Sequence, residues 1–170
     1  MSKEPQKSDA LSGRLIASQS SGWLLLEVPN AFLRGAFGAL DVPGIELPLS
    51  DDGTLRAHIS VMRKEEVDKI GGAATVSELG KHFRYQIGAL HEVAPLGWRE
   101  YEKVWFFRVE SPELKQLRTS YGLSALPKKG DREMHFHITI ARRKRGVLKP
   151  GRLSKKGEAL CSYLLFEDPL

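Results

Sequence analysis

The sequence predicts an α+β fold of two similar lobes with pseudo-twofold symmetry, in which two antiparallel sheets face each other and helices lie on the outside. Two observations carry this prediction. A unit of apolar strand, helix, loop and second strand occurs twice, beginning near Trp23 and again near Trp105. Each copy ends in histidine, isoleucine, a hydroxyl residue and an aliphatic residue, and the spacings from Trp23 to His58 and from Trp105 to His137 are 35 and 32 residues. A duplicated unit of this kind places its two final strands in equivalent positions.

The first copy follows from simple periodicity. Residues 22–29 form an apolar run closed by a proline, which is typical of a buried strand. Asn30 is a favourable helix cap, and apolar side chains then recur at helical spacing. After a loop rich in glycine and proline, residues 57–61 alternate between apolar and polar side chains, and residues 64–70 predict a short helix.

The second copy has the same order. Residues 83–93 alternate over a long stretch and predict a strand exposed on one side, and residues 104–109 form a second apolar run. Ser111 is followed by a proline and an acid, which predicts a helix start, and Gly122 predicts its end. A loop then leads to the second His-containing strand, and residues 159–166 are apolar enough to form a closing strand or helix.

Length and composition indicate an ordinary globular domain. A chain of 170 residues, 41% hydrophobic and 28% charged, can bury a core without disulfide bonds. The single cysteine, Cys161, and a polar start without a signal sequence favour the cytoplasm. No apolar run reaches the roughly 20 residues of a membrane span, and we expect a monomer that binds no membrane.

The domain boundaries follow from the periodic segments. Residues 1–21 are rich in Ser, Lys and Gln, and we expect a mobile arm with a short strand at residues 14–17. We expect residues 22–170 to form one bilobal catalytic domain, with lobes at about 22–80 and 81–170.

The two His-containing strands present reactive side chains on one face. Successive side chains of a strand point to opposite sides, so His58 shares a face with Ser60, and His137 shares a face with Thr139. A neutral imidazole accepts a proton and a charged imidazole donates one, which makes two histidines a general base and a general acid. Hydroxyl groups beside them can donate hydrogen bonds to the oxygens of a phosphoryl group. Nothing in the pattern says which histidine is the acid.

The motifs His58-Ile-Ser-Val and His137-Ile-Thr-Ile resemble the paired signature of the 2H phosphoesterases. The stretch SPELKQLRTSYGLSALPKKGDREMHFHITIA looks most like the branch with RNA-repair-like and phage anti-defence members. The resemblance implies a cofactor-free, metal-independent enzyme acting on RNA-like phosphodiesters, 2′,3′-cyclic phosphates or cyclic oligonucleotides. It implies catalytic roles for His58 and His137, and phosphate binding by Ser60 and Thr139.

Further candidate substrate contacts come from strand parity and from aromatic residues. Strand alternation assigns Arg56, His135 and Arg143 to the same cleft, because each lies an even number of residues from a motif residue. The aromatic residues Trp98 and Tyr121 could stack a base. Eight cationic residues and no acidic one lie between positions 142 and 156, which favours a phosphate-attracting rim or a merely solvated segment.

Two alternatives remain open from the sequence. A non-catalytic module that binds RNA or nucleotides would use the same cleft. A metal site is the other, because His135 and His137 share a face and His58 could add a third nitrogen ligand. No nearby acid supports such a site, and it leaves Ser60 and Thr139 without a role.

Overall fold

The computed structural model describes residues 10–50, 52–95, 97–129 and 131–146. Its strands are β1 (Leu11–Ala17), β2 (Leu24–Glu27), β3 (His58–Met62), β4 (His82–Val93), β5 (Tyr101–Glu110), the short β6 (Lys128–Lys129) and β7 (Arg132–Glu133), and β8 (Phe136–Lys144). Its helices are α1 (Asn30–Ala39), α2 (Lys64–Lys69) and α3 (Pro112–Ser120), with a 3₁₀ turn at Ala73–Thr75. The basic residues beyond position 146 and the apolar segment 159–166 lie outside the described residues.

Six strands form one antiparallel sheet in the order β3-β2-β1-β4-β5-β8. The two edge strands, β3 and β8, contact each other, so the sheet is nearly closed. The prediction of two separate facing sheets is therefore corrected: the described strands form a continuous sheet whose ends meet. Few helices accompany it, and the fold is a strand-rich mixed α/β arrangement consistent with a 2H phosphoesterase.

Strand β1 is the reason that the two halves share a sheet. It pairs with β2 on one side and with β4 on the other, so it joins the first repeat to the second. The predicted short strand at residues 14–17 is the second half of β1, but residues 11–13 of the predicted mobile arm belong to the same strand, and Leu15 is fully buried in the core. The local sequence LSGRLIA has no clear alternation, and only its two sheet partners make it a central strand.

The main core draws on both repeats. Leu33 from α1 and Leu114 and Leu117 from α3 are buried with Ile59 of β3 and Ile138 of β8 in one cluster. Ser111 caps α3 by accepting a hydrogen bond from the Leu114 amide at 3.1 Å, as its sequence position predicts. Within the described part of the chain, no helix is long and apolar enough to cross a membrane.

Candidate active site

A cavity of about 740 Å³ lies where the two edge strands approach each other. Both motifs line it, with His58 and Ser60 from β3 and His137 and Thr139 from β8. Their strands place the alternate residues in the core, where Ile59 and Ile138 have no exposed surface. Strand alternation thus separates a buried face from a face that lines the cavity.

The two imidazoles are held in the same way. His58 Nδ1 lies 2.7 Å from the Arg56 carbonyl oxygen, and His137 Nδ1 lies 3.0 Å from the His135 carbonyl oxygen. A carbonyl oxygen only accepts hydrogen bonds, so each Nδ1 carries the proton and donates. In the neutral ring the lone pair is then on Nε2, and both histidines have this same tautomer.

Burial keeps both rings neutral near pH 7. Removal from water lowers the pKa of His58 and of His137 below the ordinary histidine value, because desolvation disfavours the charged form. Repulsion from His58 also contributes to lowering the pKa of His137. A pair of this kind holds one proton more readily than two.

An aromatic side chain packs against the second histidine. The Phe106 ring meets the His137 ring edge-on, with centroids 5.4 Å apart, and the His91 ring stacks on Phe106 at the same centroid distance. Phe106 comes from β5, next to β8 in the sheet, and it also lines the cavity. The ring therefore restricts the orientation of His137 while adding an apolar wall.

Asn30 holds the chain just before the first motif. Its side-chain amide donates to the Leu55 carbonyl at 2.8 Å, and its oxygen accepts from the Ala57 amide at 2.9 Å. The predicted capping role is corrected: Pro29 occupies the N-cap, and Asn30 is the first residue of α1. The residue instead fixes the backbone that leads into His58.

Arg118 is a structural residue that the sequence did not single out. Its side chain has no exposed surface and makes a paired salt bridge to Glu66, with nitrogen–oxygen distances of 2.6 and 2.9 Å. It also donates to the carbonyl oxygens of Val61, Ser124 and Leu126. The sequence around Arg118 predicts a helix but gives no indication of these tertiary partners.

Three of the further candidate contacts line the cavity, namely Arg56, His135 and Trp98. Arg56 forms an exposed ion pair with Asp52 at 3.0 Å. Burial, and then repulsion from Arg108, lowers the pKa of His135. The Trp98 ring packs edge-on against Tyr101, with centroids 6.0 Å apart.

Two other candidates do not line the cavity and have other partners. Tyr121 does not line the cavity: its hydroxyl donates to the Glu78 carboxylate at 2.6 Å and accepts from the Ser77 amide. Arg143 is also outside the cavity lining, and its guanidinium pairs with Glu102.

A β-bulge explains why parity failed for Arg143. Phe106 pairs with Thr139, but the adjacent Trp105 pairs with Ala141, so Ile140 is an extra residue in β8. Beyond the bulge the alternation is reversed. Arg142 and Lys144, whose positions alternate with that of Arg143, line the cavity instead.

The donor set for a metal is incomplete in the described part of the chain. No group of three His, Cys, Asp or Glu side chains there is arranged to hold a metal ion. The three histidines of the metal alternative are thus not assembled as a ligand set.

Comparison with protein families gives one match. A family model described as Swiss Army Knife, 2H phosphoesterase domain (2H-SAK) matches residues 39–148, more than half of the chain, and the matched segment contains both motifs. The chain belongs to the 2H phosphoesterases. The family prediction made from the two motifs is confirmed, and membership supports a general phosphoesterase function. Searches of curated proteins and of solved structures gave no match.

Proposed function

We propose that this 2H phosphoesterase is a metal-independent phosphodiesterase that acts on RNA-like phosphodiesters, 2′,3′-cyclic phosphates or cyclic oligonucleotides. His58 and His137 are its acid–base pair. The observation that carries this proposal is the matched hydrogen bonding of the two imidazoles, each of which donates from Nδ1 to a carbonyl oxygen two residues earlier. Catalytic imidazoles need a fixed tautomer, and both rings have the same one.

In the proposed reaction, the phosphoryl group is bound between β3 and β8. One imidazole takes a proton through Nε2 from water, or from a ribose 2′-OH, as that oxygen attacks phosphorus. The other imidazole gives its proton to the departing ribose oxygen as the phosphorus–oxygen bond breaks. Ser60 and Thr139 donate hydrogen bonds to the non-bridging oxygens, where negative charge grows.

The charge state required for this reaction is supplied by the substrate. Desolvation favours neutral rings in the free protein, whereas the general acid must begin protonated. A bound phosphodiester is an anion, and an anion close to an imidazole raises its pKa. Substrate binding therefore favours the state in which one of the two imidazoles is protonated. We further propose that Arg56, His135 and Trp98 contact the substrate around this centre.

Asparagine substitutions give the sharpest test of the acid–base pair. The asparagine amide can keep the bond that Nδ1 makes to the carbonyl oxygen, but it has no group equivalent to Nε2. We expect His58→Asn and His137→Asn each to lower turnover of a nucleoside 2′,3′-cyclic phosphate by about 10²–10⁴-fold, with circular dichroism and melting unchanged. His82→Asn is the matched control, since His82 is exposed on β4 and does not line the cavity.

The substrate class requires a panel of nucleoside 2′,3′-cyclic phosphates, short RNAs and cyclic di- and trinucleotides, with products resolved by mass. Full activity of either asparagine variant would overturn the acid–base assignment. Loss of activity in excess chelator would overturn metal independence. Binding of these compounds without any turnover would support the non-catalytic RNA- or nucleotide-binding module instead.

A further inference from the structure

The end of the cavity beyond Thr139 carries cationic groups that the proposed reaction does not use. We call it the distal end, and it comprises Leu49, Trp98, Tyr101, Arg142 and Lys144, all of which line the cavity. Arg142 is three residues beyond Thr139 on β8. At about 3.3 Å per residue, their backbone positions are at most about 10 Å apart.

Arg142 is held in place but has hydrogen-bonding capacity to spare. Its side chain is 18% exposed, and it lies over the Tyr101 ring at 4.5 Å from the centroid. It donates to the Leu49 carbonyl at 3.1 Å. Its buried Nε is 3.3 Å from a Glu46 carboxylate oxygen without the geometry of a hydrogen bond, and no other acceptor for it lies within the described residues. A guanidinium has five N–H donors, and such a buried cation normally satisfies more of them.

The charges along the described cavity walls favour an anion. The cationic residues that line the cavity are Arg56, Arg63, Arg99, Arg142 and Lys144. Glu100 is the single carboxylate among the described lining residues, and it lies 3.8 Å from the Lys144 ammonium. Glu46 pairs with both Arg142 and Lys144 and compensates them in part. The residues that line the cavity therefore carry more positive charge than is needed to balance one phosphate group bound at the two histidines.

We infer that Arg142 and Lys144 form a subsite for a second phosphate group of the substrate, next to the phosphate at which the reaction occurs. This inference rests on the proposed function and narrows its substrate class. A nucleoside 2′,3′-cyclic phosphate with a free 5′-OH has one phosphate, whereas RNA ends and cyclic oligonucleotides have at least two. Arginine suits this role because its planar donors match two phosphate oxygens at once. The cavity volume lies in the upper half of the range of about 300–1,000 Å³ found for ligand sites.

Binding of two product-like probes tests the subsite without turnover. Titration calorimetry would compare a nucleoside 3′,5′-bisphosphate with the same nucleoside 3′-monophosphate at fixed ionic strength. We expect the bisphosphate to bind about 10- to 100-fold more tightly, and Arg142→Gln to reduce this preference by about tenfold or more. Lys144→Gln, at a more exposed position, is expected to reduce it less and keeps the test valid if Arg142→Gln unfolds. Arg143→Gln is the matched control, because Arg143 is outside the cavity lining and pairs with Glu102.

Equal affinity of the wild-type protein for the two probes would overturn the subsite, as would a preference unaffected by both the Arg142 and Lys144 changes. Turnover is read separately, with 2′,3′-cyclic phosphates that carry either a 5′-OH or a 5′-phosphate. If both compounds are turned over at the same rate, only the second-phosphate subsite is refuted. If neither compound is turned over, and the short RNAs and cyclic oligonucleotides of the panel are not turned over either, the proposed function is refuted, while the calorimetric preference still decides the subsite.

Discussion

Replacing Arg118 by methionine should destabilise the protein more than almost any other single substitution of a charged residue. Arg118 is fully buried and makes five hydrogen bonds, two to the Glu66 carboxylate and three to carbonyl oxygens. Methionine fills a similar volume but donates nothing. A mostly buried carboxylate and three carbonyl oxygens would then lose the bonds from Arg118, although the Leu126 carbonyl keeps a bond from the Ser124 hydroxyl at 2.6 Å.

The expected loss in free energy of unfolding is about 3–5 kcal/mol, the range for removing one partner of a buried ion pair. Glu66 keeps one bond, from the Arg63 amide at 3.0 Å, so its charge is not left without any donor. Val61, whose carbonyl oxygen Arg118 binds, follows Ser60 in β3. The substitution should therefore also lower phosphodiester turnover at temperatures where the variant is still folded.

Urea unfolding followed by fluorescence measures this loss, and α2 supplies its control. Lys64 and Asp68 form an i,i+4 ion pair with side chains 58% and 60% exposed. Lys64→Met should lower the free energy of unfolding far less than Arg118→Met, because water solvates the remaining carboxylate. Arg118→Met combined with Glu66→Gln should recover part of the loss. A change below about 1 kcal/mol for Arg118→Met would refute the buried-pair reasoning.

Two further predictions concern the proton chemistry and the sheet. The pKa values of His58 and His137 are both lowered, so kcat/KM should reach its maximum on the acid side of about pH 6.5, the ordinary histidine value. A bell-shaped profile centred above pH 7 would contradict this. Gly13→Ala should unfold or severely destabilise the protein, since the new Cβ would lie 2.1 Å from the Glu27 carbonyl oxygen. Gly35→Ala meets nothing within 4 Å in α1 and should stabilise by up to about 1 kcal/mol; equal melting temperatures for the two variants would contradict the close approach at Gly13.

Local periodicity predicted most helices and strands, because the sequence patterns that indicate each element lie within a few residues of one another. The cap at Ser111 and the alternation through His58 and His137 need no distant partner to be recognised. Strand β1 was predicted only over residues 14–17, and its place at the centre of the sheet was missed, for the opposite reason. Only pairing with β2 and β4 makes Leu15 a core residue, and sheet pairing between distant segments cannot be read from the polarity of one segment.

The same distinction separates the parts of the candidate site. Alternation assigns His58, Ser60, His137 and Thr139 to one face, and the structure places these four side chains around one cavity. The assignment of Arg143 depended on unbroken alternation over six more residues from His137. A single bulge at Ile140 reverses the face of everything that follows, so parity is informative only up to the first irregularity in a strand.

The same irregularity occurs in both halves of the site: Leu25 pairs with Ser60 and Leu24 with Met62, so Val61 is an extra residue in β3, as Ile140 is in β8. Up to the hydroxyl residue, both motif strands offer the same groups: an imidazole fixed through Nδ1 and a hydroxyl two residues later. Three residues beyond each hydroxyl an arginine lines the cavity, Arg63 after Ser60 and Arg142 after Thr139. Strand β8 adds Lys144 to the lining, whereas β3 ends at Met62. In the proposed reaction the phosphate therefore meets symmetric chemistry at the motifs, and each motif is followed by a cation beside the cavity.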